Sequence, residues 1–516
     1  MSLRPGVRVA RGATYILIQG VVSTLMGVVF LLFLIKIPQT QLPPPPSPEM
    51  GIYFILCFVL TLIQMVGTLA FQSASAKYIS QYVAQGNLEK ARSVVTRVLQ
   101  ITLLVSLVSS GSLLIFAEQI SLALTGSLEW IGLFRTLGAA CFFVILFPQV
   151  SGFLQGLQKM RELAFVNFVS TAVQYLLGIL LLYLGLGLFG VLYGWLIGFF
   201  LSSLVGLFLV AKFLGVFGKP HPMKPLIKFS YPLYVSNVLQ YIASWIDQLF
   251  ILAYAGEATL GVYGWAVKAA LIPGLIISSI VTALFPQLSE LYTKYGKDNL
   301  REAFTLSSRY AVLVGFPMFV GLAVLANPIL VIFAEPEYSE AAMPLTIICL
   351  SALLPTWGIT ISPMLMTMER TKTQSIVTLT SIFSNMVASY VSLAYFNLGM
   401  VGAAWARFLA SCVSFGLGIY ALKRILDITF DWEVLWKASL SCICMTITVF
   451  LVSVLEKVVL PLYLFPIYVI FGAIAYFLSL FALKAIKKQD LELIRDFLPE
   501  RFKRVAVWIG RLASTE

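Results

Sequence analysis

The side chains with the most chemical capacity in this sequence are four charges set inside apolar runs. Asp247 and Lys268 stand in SWIDQLFILAYAGEATLGVYGWAVKAALIPGL, residues 244–274, which reads as two membrane spans around a short turn. Arg407 and Arg135 lie in two further apolar runs. A charge facing lipid is costly, about 3 kcal/mol on insertion scales, so each side chain is expected to meet a partner or a wet cavity. Three cations against one carboxylate leave a positive surplus that suits a phosphate or diphosphate. Arg407 and Arg135 would offer forked donors to its oxygens, and Lys268 a point charge. Asp247 is the one embedded acid among them and the candidate for binding or exchanging Na+ or H+. The competing account of the same residues is structural: Asp247 pairs with Lys268 across one hairpin while the two arginines snorkel to the surface.

These residues need helices to hold them at depth. Of the 516 residues, 59% are hydrophobic and only 11% charged, with mean hydropathy +0.93, so the bilayer must act as solvent for the fold. Apolar runs of span length fall at 12–36, 51–75, 94–117, 132–154, 164–184, 190–211, 230–254, 262–286, 309–333, 343–367, 374–396, 401–422, 437–457 and 463–485. The predicted fold is therefore an all-α polytopic membrane protein with 14 transmembrane helices. Arg4, Arg8 and Arg11 precede the first run, which is too long for a signal-peptide core and is expected to be a retained span.

Charge supports this count. With both termini cytoplasmic, all but five of the 35 Lys+Arg fall in inner segments; the five are Lys36, Arg135, Lys268, Arg407 and Lys457. Glu49, Glu118, Glu129, Glu257, Glu335, Glu337, Glu340 and Glu456 fall outside. On this topology Asp247, Lys268 and Arg407 lie roughly 10 Å below the outer surface, at 1.5 Å per helical residue, with Arg135 slightly higher. They form one tier.

A shift of 212 positions brings Asn87-Leu88-x-x-Ala91 and Arg97 onto Asn299-Leu300-x-x-Ala303 and Arg309, and Gly187 and Gly190 onto Gly399 and Gly402. The shared offset predicts a duplicated six-helix unit. Six is even, so the copies run parallel across the bilayer, as in alternating-access carriers with a site between lobes. The expected domains are an N-lobe (1–216), a cytoplasmic linker (217–229), a C-lobe (230–425), two peripheral helices (426–485) and a surface-lying basic tail (486–516). PPPPSP at 43–48 is a stiff outer loop.

Neutral polar residues extend the candidate wall. Gln19, Ser23 and Thr24 lie in span 1, Gln64 in span 2, Asn237 and Gln240 in span 7, and Asn385 in span 11. With Trp245 and Trp265 they would suit sugar hydroxyls and ring faces, although polar side chains also join helices. Prolines within spans, including Pro148, Pro232, Pro273, Pro317, Pro355 and Pro363, permit bends.

Other chemistries are excluded by composition. Cys57, Cys141, Cys349, Cys412, Cys442 and Cys444 all lie in apolar spans and form no disulfide framework. The lone histidine, His221 in GKPHPMKP, is expected to be a solvated loop residue. Without a P-loop, an H-E-x-x-H motif or a Ser/His pair, no enzyme activity, cofactor or metal is expected. The basic excess reports membrane orientation rather than nucleic-acid binding.

KFSYPLYVSNVLQYIASWIDQLFILAYAGEATLGVYGWAVKAALIP resembles the start of the second lobe in polysaccharide-transporter proteins: an F-x-x-P-L stretch, then a W/R-I-D-like triplet and a G-x-Y turn. SAKYISQYVAQGNLEKARSV and GLQKMREL resemble that family too, and the likeness spans roughly residues 10–425. It implies the Wzx-like oligosaccharide-flippase branch of the multidrug/oligosaccharidyl-lipid/polysaccharide exporter superfamily. The fold implied is two six-helix lobes in a V plus two extra helices. The function implied is transfer of a polyprenyl-(pyro)phosphate-linked oligosaccharide between leaflets of the cell membrane. Asp247 lies in the matched motif; Lys268, Arg407 and Arg135 rest on the depth argument. Lipid-II flippases of the superfamily carry basic residues in first-lobe core helices, whereas spans 1 and 2 here hold only Lys36, at the outer end. A cation-coupled multidrug exporter would favour an acidic pocket, and a non-transporting scaffold would depend on the basic tail. The expected partners are the lipid-linked oligosaccharide, membrane lipids and glycan-assembly enzymes, with the chain a monomer.

Overall fold

The computed structural model describes residues 5–36, 48–214, 218–295, 297–333, 336–368, 370–426, 428–456 and 465–485. The basic tail and most of the proline-rich loop lie outside them. The described residues are helical throughout, with no strand. In chain order the helices are α1 (Pro5–Lys36), α2 (Pro48–Thr68), α3 (Phe71–Ala84), α4 (Leu88–Ile115), α5 (Ala117–Thr125), α6 (Ile131–Gly156), α7 (Met160–Leu181), α8 (Gly187–Leu214) and α9 (Met223–Tyr295). After them come α10 (Lys297–Val324), α11 (Ala326–Phe333), α12 (Ala342–Trp357), α13 (Ile361–Thr367), α14 (Thr371–Tyr390), α15 (Gly399–Leu426), α16 (Trp432–Glu456) and α17 (Phe465–Ala482).

Helices dominate because a chain in lipid must satisfy every backbone polar group within itself. Among the described residues ten helical stretches are long and apolar enough to cross a membrane, with two shorter apolar helices at Ile18–Leu34 and Pro466–Ala482. This is a multi-pass membrane protein. Two of the ten, Met160–Leu214 and Met223–Gly274, run to 55 and 52 residues. At 1.5 Å per residue each is about 80 Å of chain, well beyond one ~30 Å crossing. Left-handed glycines interrupt both: Gly185 (φ 90°) and Gly187 (φ 54°) in the first, Gly256 (φ 82°) in the second.

The chain divides into two compact units, Met1–Val262 and Tyr263–Glu516. In the first, α6 is a central helix, buried along most of its length and packed by α2, α3, α4 and α8. Its Gly152 and Gly156 let α3 come close: a Cβ on Gly152 would stand 2.6 Å from the Gln72 carbonyl, and one on Gly156 2.8 Å from Ile79 Cβ. Between α2 and α3, Leu69 (φ 49°) and Ala70 (φ 54°) are left-handed without being glycine, a strain of about 1–2 kcal/mol each. The fully buried Gln149 of α6 holds this break by donating to the Thr68 carbonyl at 2.9 Å.

In the second unit, α10 packs on α12 and α16, and α12 on α15. α16 and α17 pair with each other and cover α10 through Val312, Phe316, Ala438, Cys442, Met445, Tyr476 and Leu480. The Tyr476 hydroxyl donates to the Leu313 carbonyl at 3.0 Å. The remaining faces of α16 and α17 expose Ile443, Ile447, Phe450, Phe471 and Phe477, an apolar surface of the kind lipid covers.

The positions matched by the 212-residue offset behave alike in the two units. Gly187 (φ 54°) and Gly399 (φ 56°) are both left-handed, each opening the helix after a π-helical turn, at Leu182–Leu186 and at Val391–Tyr395. Gly190 and Gly402 both permit close approach: a Cβ would meet Leu181 at 2.9 Å in one and Leu398 at 2.8 Å in the other.

Candidate functional site

In the first unit, α9 sets its N-terminal half against α2. The Tyr241 hydroxyl donates to the Phe58 carbonyl at 3.1 Å, the two rings stack at 5.9 Å, and Trp245 lies 5.2 Å from Phe58. Asp247 follows one half-turn on and is wholly buried, with Gln248 beside it at 4% exposure; Asp247 has an interaction partner. Trp245 and Gln248 line an apolar crevice with Ile55, Phe58 and Leu124. Past Gly256 the backbone presses on α2: a Cβ at Gly51 would run into the Glu257 carbonyl oxygen, and one at Gly261 would lie 2.9 Å from the Gly51 nitrogen. Oε1 of Glu257 and Oε2 of Glu49 are buried with no hydrogen-bond partner among the described residues.

The remaining first-unit candidates differ in surroundings. Arg135 is exposed on α6, and Asn237 and Gln240 are exposed on α9. Gln64 is half-buried and donates to the Val144 carbonyl at 3.2 Å, which ties α2 to α6. Gln19 is half-buried and donates to Ser23 at 2.8 Å; Ser23 in turn donates to Thr171 at 3.1 Å. Thr24 turns back on its own helix, donating to the Gly20 carbonyl.

In the second unit, Lys268 and Arg407 are half-buried, and Arg407 has an interaction partner. Asn385 is buried and accepts from Ser389 at 3.2 Å. Trp265 is only 8% exposed and meets Tyr338 edge-on at 6.2 Å, so little of its ring is open to a sugar in this arrangement. Among the described residues no group of three His, Cys, Asp or Glu is placed to hold a metal, and none of the six cysteines is in a disulfide.

One expectation is overturned. His221 is 7% exposed rather than solvated, because the segment before α9 is bound down onto α3 and α4. Its backbone nitrogen donates to the Ser93 carbonyl at 3.0 Å, and its carbonyl accepts from Arg97 Nε at 2.8 Å. Its ring lies 3.0 Å from the Tyr82 hydroxyl through Nε2 and 2.8 Å from the Pro222 carbonyl through Nδ1. The second unit has a matching clamp. Arg309, offset by 212 from Arg97, reaches Asp431 at 3.0 Å and the Ala485 carbonyl at 2.8 Å. Thr305, offset likewise from Ser93, donates to the Thr429 carbonyl at 3.0 Å. The first pair thus binds the segment that follows α8, and the second the segment that follows α15. The Arg97/Arg309 match is visible in sequence, but its purpose is not.

A family model described as polysaccharide biosynthesis protein matches residues 47–343, more than half of the chain. The chain belongs to this polysaccharide biosynthesis family. The resemblance read from the W-I-D triplet and the flanking loops is borne out. A relative in Haloferax volcanii, named "Probable low-salt glycan biosynthesis flippase Agl15", is 23% identical over 433 residues, covering 83% of this chain and 88% of that protein. Among solved structures, "Lipid II flippase MurJ, inward closed conformation" aligns with TM-score 0.70 at 20% identity, over 90% of this chain and 97% of that one. A multidrug resistance MATE family transporter of the MOP superfamily, inward-facing, aligns with TM-score 0.66 at 17% identity, over 78% of this chain and 96% of that one. The polysaccharide biosynthesis family member described here therefore has the MurJ- and MATE-like helical fold. The relative's name denotes a flippase and not a catalyst.

Proposed function

We propose that this family member is an alternating-access flippase. It would carry a polyprenyl-(pyro)phosphate-linked oligosaccharide from the inner to the outer leaflet, for surface polysaccharide or glycoprotein assembly. The observation that carries this reading is the family match over residues 47–343, joined to the net basic charge embedded in the spans. The flippase relative covers most of both chains and points the same way. The chain has 14 crossings with both termini on the cytoplasmic side of the cell membrane. Its lobes run over 1–216 and 230–425, joined by the linker 217–229, with 426–485 peripheral and 486–516 a surface-lying tail. The similar roles of Gly187 and Gly399, and of Arg97 and Arg309, support the duplication.

Lys268, Arg407 and Arg135 engage the phosphate oxygens, while Asp247 binds or exchanges the coupling Na+ or H+. Gln19, Gln64, Asn237, Gln240, Asn385, Trp245 and Trp265 are further candidates for sugar contact. The protein acts as a monomer beside glycan-assembly enzymes. A multidrug exporter on this fold is disfavoured because Asp247 is the one acid among these embedded charges. The test is reconstitution of wild type and the Lys268→Ala/Arg407→Ala double variant in vesicles loaded with a polyprenyl-diphosphate-linked sugar. Wild type should expose the sugar to an outside lectin, and the double variant should do so at least tenfold more slowly. An unimpaired double variant removes the anion role.

A further inference from the structure

The first unit contains a connected row of neutral polar side chains drawn from three helices. Gln19 of α1 donates to Ser23 at 2.8 Å, and Ser23 donates to Thr171 of α7 at 3.1 Å. Thr171 donates to the Asn167 carbonyl at 3.0 Å, and Ser151 of α6 donates to the Asn167 side-chain oxygen at 3.3 Å. None of the five carries a charge. Gln19, Ser23, Asn167 and Thr171 are half-buried, so each keeps an accessible face, and only Ser151 is closed in, at 6% exposure.

The row is not self-sufficient. Among the described residues the Asn167 amide nitrogen and the Gln19 amide oxygen have no hydrogen-bond partner. An amide nitrogen with two donors and an amide oxygen with open lone pairs would be costly against hydrocarbon without water or a ligand. The position along the helix agrees with an interior location. On α1, Ile18, Val21, Leu25 and Val29 form the exposed apolar stripe, and Gln19 and Ser23 are turned toward α7.

The structure assigns this row as a subsite for the glycan portion of the lipid-linked substrate, in which Asn167 and Gln19 present the open donor and acceptor. Sugar hydroxyls both donate and accept, which matches a row of amides and hydroxyls, and the absence of charge leaves the row unsuited to the phosphate. This assignment rests on the flippase reading and adds to it: the sugar is read by neutral groups of α1, α6 and α7.

The experiment measures binding of two probes to the full chain in nanodiscs: a polyprenyl diphosphate, and the same lipid bearing a short N-acetylhexosamine oligosaccharide. Wild type should bind the glycosylated lipid more tightly. Asn167→Leu and Thr171→Val should each lose about three- to tenfold for that lipid, the worth of one neutral hydrogen bond, and leave the bare lipid unchanged. Thr171→Ser, which keeps the hydroxyl, should bind both as wild type does. An equal loss for both lipids, or an intact glycan preference in both variants, overturns the subsite while leaving the flippase reading standing. Failure of wild type to bind either lipid overturns both.

Discussion

Arg309 and Asp431 form an ion pair at 3.0 Å with the arginine 4% exposed, and the same guanidinium also donates to the Ala485 carbonyl. One side chain of α10 thereby fixes both the start of α16 and the segment after α17. The second carboxylate oxygen of Asp431 accepts from the Val434 nitrogen at 3.1 Å, so this residue also caps α16.

Removing one partner of such a pair strands the other. Arg309→Ala should destabilise the chain by about 3 kcal/mol, because the Asp431 carboxylate loses its counter-charge in a largely buried setting. Asp431→Asn keeps the cap and loses the charge, and should cost less. Thermal unfolding in detergent checks the order. Equal, negligible shifts for both variants would show that the clamp is not a stability element.

The first-unit clamp uses a backbone carbonyl where the second uses a carboxylate. Arg97→Ala should therefore cost less than Arg309→Ala, and Tyr82→Phe, which removes one hydroxyl from the His221 ring, should cost about 1 kcal/mol. Limited proteolysis near Gly218 should quicken in Arg97→Ala and stay near wild type in Tyr82→Phe. Unchanged cleavage in Arg97→Ala would mean that the contacts of Ser93 and Tyr82 with His221, and of Thr96 with Gly218, secure the segment without the arginine.

Two glycines of the same unit should respond oppositely to alanine. Gly51→Ala places a Cβ against the Glu257 backbone, which cannot move aside as a side chain tip would, so a loss of about 1–3 kcal/mol is expected. Gly20→Ala meets nothing within 4 Å and should remain within about 1 kcal/mol of wild type. Melting temperatures of the two variants make the comparison, and a tolerated Gly51→Ala would show that α2 and α9 separate readily at that end.

Asp247 offers a functional prediction. Asn keeps the side chain's size but not its charge, and the site is wholly buried. In vesicles, wild type should accelerate lectin exposure of the sugar under an imposed Na+ or pH gradient, and Asp247→Asn should respond at least tenfold less. An equal gradient response in both would remove Asp247 from coupling.

The sequence by itself determined the helical, membrane-embedded class, because hydropathy over a window of some twenty residues is a local property that lipid enforces. It also pointed to the pairing of Gly187 with Gly399, since a left-handed backbone favours glycine and both positions share the 212-residue offset. Tertiary structure decided what each polar group does. His221 looked solvated because its own segment is polar and proline-rich; its burial depends on Ser93 and Arg97, more than 120 positions earlier. Trp265 looked available for stacking until Tyr338 met its ring, and Asn167 gained meaning only through Ser151 and, by way of Thr171, Ser23. Which helices become neighbours is set by the packing of the whole bundle, and no spacing along one helix encodes it.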